Sequence, residues 1–315
     1  MQTRQKREGS AFTGLFVVFQ KEFGDFTGSI KLIALTVLIL LTAAASVSVA
    51  ARMLKDYVSE DQFLLLSLFT LSSGQIPSFL SFMSFLVPLM AIALGFDAIN
   101  GEFQSRTLGR VLSQPIYRDA LLFGKMLGAL ASMASILLVL WLLVLGSGMA
   151  FLGASPSGEQ IGRAFVYYLI TVLYGALWYM VAMVFSIVTS NAAASALLSI
   201  ALWLFMMIFW PIIAGVLAPL LARGDAWRTA ILNVALSRFS PYVLYTQASI
   251  GILNPTTRSL GVVLFYQMDG ALGGSPLPFW QSFLLILPHI AAFVAVSIVC
   301  FTIGYRLFLR REIRM

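Results

Sequence analysis

The charged residues cluster most clearly in the stretch 95–128, which separates two long apolar runs. It combines acidic and basic side chains with Gly and Pro residues that favour turns. Glu102, Arg106 and Arg110 recur every fourth residue, so they share one face of a short helix predicted within 99–115. Side chains of this kind can form ion pairs with a partner, and their pattern does not indicate a catalytic site. The stretch is therefore a candidate docking surface for a soluble partner.

Groups that could catalyse a reaction or hold a metal are few. His289 is the only histidine and Cys300 the only cysteine, which excludes multi-histidine and cysteine-rich metal sites and intramolecular disulfides. Gly124 and Lys125 lack the leading glycine of a phosphate-binding loop. His289 has two interpretations, a ligand or proton relay and a hydrogen bond to a neighbouring helix. The 13 methionines could coordinate Cu(I), although packing is the simpler interpretation in so apolar a chain.

Membrane spans must position these residues. Hydrophobic residues make up 60% of the chain and charged residues 10%, and the mean hydropathy is +0.92. These values are typical of a polytopic membrane protein. Since about 20 apolar residues cross a hydrocarbon core of roughly 30 Å, the sequence predicts an all-α fold with six transmembrane helices. Their predicted bounds are 30–51, 78–98, 120–152, 163–189, 193–222 and 281–305.

The basic residues predict the orientation of the spans. Of the 20 Lys and Arg residues, 13 lie in the N-terminal segment, in the stretch 95–128 and in the C-terminal tail. The positive-inside rule places these segments, and so both termini, in the cytoplasm. The net charge of +7 is then explained by topology and anionic head groups, not by nucleic acid. Charges run through the first thirty residues with no cleavage pattern, so we expect no cleavable signal peptide.

Two segments outside the spans have helical patterns. Phenylalanines spaced four and three residues apart form one stripe along 11–29, with polar residues off it. This predicts an amphipathic helix in the membrane interface, and packing of that helix on its own spans is a compatible alternative. The segment 223–280 predicts two short helices that cap the outer ends of the spans. With no linker or repeat, residues 1–315 are predicted to form a single domain.

Two stretches of the sequence resemble parts of the membrane-spanning permease subunits of ATP-binding cassette (ABC) transporters, specifically the type 2 exporter class. Residues 20–25, QKEFGD, resemble the Lys-Glu-hydrophobic-x-Asp motif of that family's interface helix. Residues 101–125, GEFQSRTLGRVLSQPIYRDALLFGK, resemble its cytoplasmic loop. The six-span layout, with the largest outer loop before the last span, is also similar. The family commonly has glycine before Thr-Leu, where this chain has Arg106.

The resemblance implies site residues and partners. In that family the loop between the second and third spans is a coupling helix that rests in a cleft of a separate ATPase subunit. We therefore expect Glu102, Arg106 and Arg110 to face the ATPase, whereas Leu108 and Leu112, with Phe103, pack on the permease. The residues implied in ATPase coupling are Glu102, Phe103, Arg106, Thr107, Leu108, Arg110, Ser113, Pro115 and Arg118. Those of the interface helix are Phe16, Phe19, Glu22, Phe23 and Asp25.

The implied function is export of an unidentified substrate, driven by ATP hydrolysis in the partner chain. The implied partners are two ABC ATPase subunits, a second permease copy and the lipid bilayer. ATP and Mg would bind to the ATPase, and this chain would be a non-catalytic multi-pass subunit of the prokaryotic plasma (inner) membrane without a cofactor. The alternative is a mechanotransmission permease that conveys ATPase motion to an extracytoplasmic partner protein, as in nitrous oxide reductase maturation systems. A secondary transporter or intramembrane enzyme is disfavoured, because the predicted spans lack paired carboxylates.

Overall fold

The computed structural model describes residues 14–56, 63–104, 117–153, 155–262 and 275–310. Within these residues all regular structure is helical. Six helical stretches are long and apolar enough to cross a membrane, which confirms the predicted all-α polytopic fold. The helices that form them are α2 (Ile30–Asp56), α4 (Phe79–Gly95), α6 (Arg118–Leu152), α7 (Gly158–Val188), α8 (Ala192–Leu204) continued by α9 (Trp210–Ala222), and α12 (Phe279–Arg310).

The shorter helices lie before and between the spans. α1 (Leu15–Thr27) precedes the first span, α3 (Leu64–Thr70) follows it, and α5 (Asn100–Gln104) follows the second. α10 (Ala226–Ser237) and α11 (Pro241–Leu253) separate the fifth span from the sixth.

Local sequence signals set several helix ends. α7 begins at Gly158, five residues before its predicted start, because Ser157 and Gln160 form a reciprocal capping box. α6 ends at Leu152 and is capped by Gly153, whose positive φ of 67° suits glycine. The fifth span is interrupted by a π-helical turn at Phe205–Phe209, two residues before Pro211. Proline lacks a backbone N–H, so the regular hydrogen-bond ladder cannot continue through it.

α7 is the central helix of the fold. It is the most buried of the six spans and packs against α4, α6, α8, α11 and α12. The ring of Tyr174 in α7 stacks on the ring of Tyr245 in α11, with centroids 4.4 Å apart. The hydroxyl of Tyr174 also donates to the carbonyl oxygen of Ser84 in α4, at 3.0 Å. One helix thus connects most of the others.

α10 packs along α9, the second half of the fifth span, whereas α11 packs mainly on α7 and α12. The indole N–H of Trp210 donates to the carbonyl oxygen of Leu236 (2.8 Å), and the Ser240 hydroxyl donates to that of Met206 (2.6 Å). Met206 lies midway along the span Ala192–Ala222. The turn between α10 and α11 therefore reaches the middle of the fifth span, whereas the sequence predicted helices that cap the outer ends.

Candidate functional site

The first part of the predicted coupling segment is α5, which is fixed to the end of α7. The backbone N–H groups of Ile99 and Asn100 donate to the hydroxyl oxygen of Ser186, at 3.0 and 3.1 Å. The amide of Gln104 donates to the carbonyl oxygen of Ser190 at 2.8 Å. Asn100 and Ser186 are fully buried. A serine of another helix thus caps N–H groups at the start of α5, which have no partner within the helix itself.

A buried lysine connects α5 to α1 and α6. The ammonium of Lys125 in α6 lies 2.8 Å from a carboxylate oxygen of Glu22 in α1 and 2.7 Å from one of Glu102 in α5. The three side chains are 5%, 7% and 14% exposed, respectively. Because a buried charge is costly unless paired, these contacts hold three helices in one arrangement. We call Lys125, Glu22 and Glu102 the Lys125 bridge.

Two glycines of α6 allow α1 to approach closely enough for this contact. A Cβ atom at Gly124 would lie 2.7 Å from the Cβ atom of Val18, and one at Gly128 would lie 2.7 Å from that of Glu22. Both distances are shorter than real carbon–carbon contacts. Any side chain at either glycine would therefore push α1 away from α6 and lengthen the contact between Glu22 and Lys125.

α1 packs on α6 through one side only. Val18 and Glu22 are buried, whereas Phe16 is exposed and Phe19 and Phe23 are half-buried. The rings of Phe19 and Phe23 stack with centroids 6.0 Å apart. The buried side of α1 is thus the one that carries Glu22, and the predicted phenylalanine stripe is left at its margin and outer face.

More exposed ion pairs surround the bridge. Lys21 lies 3.1 Å from both Glu22 and Asp25. Partial burial lowers the pKa of Lys21, but the two carboxylates outweigh it and raise that pKa above its ordinary value. Lys31 at the start of the first span lies 2.6 Å from Asp97 at the end of the second. These contacts give the ends of the first two spans and α1 a shared charged surface.

The structure describes only part of the predicted coupling set. Glu102 lies within the Lys125 bridge, so its carboxylate is directed towards α6. Phe103 belongs to α5, and Arg118 is the first residue of α6. The predicted residues outside the described part of the chain are Arg106, Thr107, Leu108, Arg110, Leu112, Ser113 and Pro115. Their contacts remain predictions.

Sequence reasoning did not assign a role to Lys125, Asn100 or Ser186. A signal for Lys125 was present, since a lysine inside an apolar span requires a partner and it lies between Gly124 and Gly128, spaced for close helix packing. Asn100 and Ser186 carried no such signal, because buried serines and asparagines are ordinary in apolar helices.

A second buried cation lies towards the opposite end of α7. Arg163 is fully buried, and its Nε and Nη2 atoms donate to one carboxylate oxygen of Glu159, at 3.0 and 2.8 Å. Nη1 donates to the carbonyl of Ile252 (3.1 Å) and the hydroxyl of Ser282 (3.0 Å), and Nη2 to the carbonyl of Leu277 (2.5 Å). These five residues, here the Arg163 clamp, connect α7 to α11 and α12. Arg163 and Ser186 are about 35 Å apart along α7, at 1.5 Å per residue.

Known proteins are similar to this chain. A family model described as ABC-2 family transporter protein matches residues 16–313. A probable ABC transporter permease protein NosY from Stutzerimonas stutzeri is 28% identical over 256 residues, which cover 77% of this chain and 82% of the relative. The protein of the same name from Pseudomonas aeruginosa is 28% identical over 214 residues, covering 67% and 70%. Since the family match extends over nearly the whole chain and includes all six spans, the chain belongs to the ABC-2 family of transporter proteins as a permease subunit, a multi-pass membrane protein that lies in the plasma membrane of a prokaryotic cell.

Proposed function

We propose that this chain couples ATP hydrolysis by a separate ABC ATPase to export of a substrate through the membrane. The ABC ATPase partner follows from the family. Two ATPase copies, a second permease copy and cytoplasmic termini complete the proposal. ATP and Mg bind in the partner, and this chain contributes no catalytic residue. The observation that carries the proposal is the Lys125 bridge, which joins the start of the coupling segment to α1 and α6.

The contacts of α5 suggest how force would pass into the membrane. A push by the ATPase on residues 99–115 would reach α7 through Ser186 and α6 through Lys125. Separating a buried lysine from its carboxylates costs several kcal/mol, on the order of 3–5, so the helices move together instead. α7 is continuous over 31 residues, and the Arg163 clamp passes its displacement on to α11 and α12.

Charge reversal tests the ATPase contact. In the full chain co-expressed with its ATPase, Arg106→Glu and Arg110→Glu should each reduce co-purification and stimulated ATP hydrolysis by about tenfold or more, since truncating one partner of an interfacial charge pair costs 2 kcal/mol or more. Arg228→Glu is the matched control, because that side chain is 74% exposed and lies in α10, far along the chain from the segment. Assembly and stimulation that survive both reversals unchanged would overturn the proposal.

The second candidate is a mechanotransmission permease that acts on an extracytoplasmic protein. The Arg163 clamp favours it, because the clamp fastens α7 directly to the segment between the fifth and sixth spans. In the described spans the carboxylates all lie towards the ends, where they cannot line a central polar pathway. Reconstituted vesicles distinguish the two functions: ATP-dependent transport supports export, whereas co-purification of an extracytoplasmic protein without any transport supports mechanotransmission.

A further inference from the structure

An open groove is lined by α10, α11, the turn between them, and α12, beside α7. Its volume is about 420 Å³. Most of its lining is apolar and includes Leu244 of α11 and Ala292 and Val296 of α12. Two polar side chains, Arg238 and His289, also line it. A groove of this composition suits a molecule that is mostly apolar and carries one polar group.

Arg238 is the cation of this groove. Its Nε atom donates to the amide oxygen of Gln247 (3.0 Å), and its Nη2 atom donates to the carbonyl oxygen of Leu260 (2.7 Å). Across the described residues no carboxylate pairs with Arg238, and its Nη1 atom has no hydrogen-bond partner there. Arg238 directly follows α10. A cation that lines a mostly apolar groove, with no carboxylate partner in the part of the chain that the structure describes, favours binding of an anion.

His289 supplies a second unsatisfied group. Its Nε2 atom lies 3.1 Å from the same oxygen of Gln247 that accepts from Arg238. A guanidinium only donates, so this oxygen is an acceptor and Nε2 must be the protonated ring nitrogen. The other nitrogen, Nδ1, then carries a lone pair, and it is buried without a partner. Within the described part of the chain, Nη1 of Arg238 thus has no acceptor and Nδ1 of His289 has no donor.

We propose that this groove binds one anionic phospholipid with a hydroxylated head group, taken from the surrounding bilayer. The phosphate accepts from Nη1 of Arg238, a head-group hydroxyl donates to Nδ1 of His289, and an acyl chain lies along Leu244, Ala292 and Val296. The exposed faces of Phe239 and Val296 leave the groove open from the side, where lipid would surround the spans. This inference goes beyond the proposed function and does not depend on ATP coupling.

Native mass spectrometry of the purified full chain tests the charge requirement. The chain is presented with phosphatidylglycerol and phosphatidylcholine in mixed micelles, and we expect one retained phosphatidylglycerol per chain. Arg238→Gln should lower that retention about tenfold or more, because a charged hydrogen bond contributes about 1.5–3 kcal/mol. Arg228→Gln, which changes an exposed arginine of α10, should retain the lipid as wild type does.

A groove-filling variant keeps the test decisive if Arg238→Gln fails to fold. Ala292→Phe fills the apolar wall and leaves the contacts among Arg238, Gln247 and His289 intact, and it should also lose phosphatidylglycerol. His289→Phe should abolish the preference for phosphatidylglycerol over phosphatidic acid, whose head group lacks the glycerol hydroxyls. Equal retention of phosphatidylglycerol and phosphatidylcholine, or unchanged retention by Ala292→Phe, would overturn the proposal.

Discussion

The Lys125 bridge and the Arg163 clamp both bury a cation at a junction of helices, but they satisfy it in different ways. Lys125 is held by two carboxylates from two other helices. Arg163 has one carboxylate, from its own helix, and otherwise donates to a hydroxyl and two backbone carbonyls. One set depends on charge, and the other depends on directed hydrogen bonds.

This difference indicates which junction tolerates movement. An ammonium is a compact charge with three rotatable donors on a flexible stem, so it can follow small shifts of two carboxylates. A guanidinium is planar, and carbonyls in fixed backbone accept from it in one orientation only. We infer that α1 and α5 can shift slightly relative to α6 while the ion pairs of Lys125 stay formed, whereas α7, α11 and α12 are held in a fixed relative orientation. Four predictions test this contrast.

The largest effect is expected at Arg163. Arg163→Met leaves the buried carbonyl of Ile252, the half-buried carbonyl of Leu277 and the hydroxyl of Ser282 without their donor, so it should reduce the free energy of unfolding by about 3–5 kcal/mol. Arg163→Lys should recover only part of this loss, because three donors replace five in a different geometry. Thermal unfolding in detergent micelles measures both. Arg228→Met is the control, since a change at that exposed side chain should cost about 0.5 kcal/mol or less. A loss at Arg163 no greater than this would refute the clamp.

Lys125→Met is expected to have the next largest effect. It leaves Glu22 and Glu102 close together with no cation between them, and should destabilise the chain by about 3 kcal/mol. Adding Glu22→Gln and Glu102→Gln removes the uncompensated charges and should restore stability. Stimulation of the ATPase should stay low in this triple variant, because the helices are no longer joined by charge. Recovery of stimulation together with stability would show that the bridge has only a structural role.

Gly128→Ala should have a smaller effect that follows from the close approach of α1. The added Cβ atom would lie 2.7 Å from that of Glu22, so we expect a loss of about 1–3 kcal/mol from steric displacement. Gly146→Ala in the same helix is the matched control, since no neighbouring atom lies within 4 Å of its added Cβ. That substitution should be neutral or should stabilise the helix by up to about 1 kcal/mol. Equal thermal unfolding of the two variants would contradict the close contact.

The sequence predicted the spans well because span length is a local property. Each of the six apolar runs exceeds the hydrocarbon thickness, so composition alone located them, with errors mainly at ends such as that of α7, where the Ser157 cap extends the helix. The π-helical turn that ends two residues before Pro211 also had a local cause.

The contacts between helices could not be read in the same way. Glu22 and Lys125 are 103 residues apart, and nothing in either segment specifies the rotation of α1 that brings them together. The phenylalanine stripe emphasised a neighbouring face of that helix. The depth of α10 likewise depends on the contact between Trp210 and Leu236, which joins positions with no shared local pattern. Tertiary packing decided these features.

The smallest effect is expected at the ion pair of Lys31 and Asp97. This pair is exposed to solvent, so it can be compared with the buried ion pairs of the Lys125 bridge. These side chains are 59% and 34% exposed, so Lys31→Met should cost only about 0–1 kcal/mol despite the 2.6 Å contact. Raising the salt concentration to about 1 M shortens the screening length to roughly 3 Å and should remove this cost. The cost of Lys125→Met should change little in the same salt, because its partners are buried. Thermal unfolding of both variants at low and high salt is the measurement, and equal salt sensitivity would mean that water screens the Lys125 bridge as it does a surface pair.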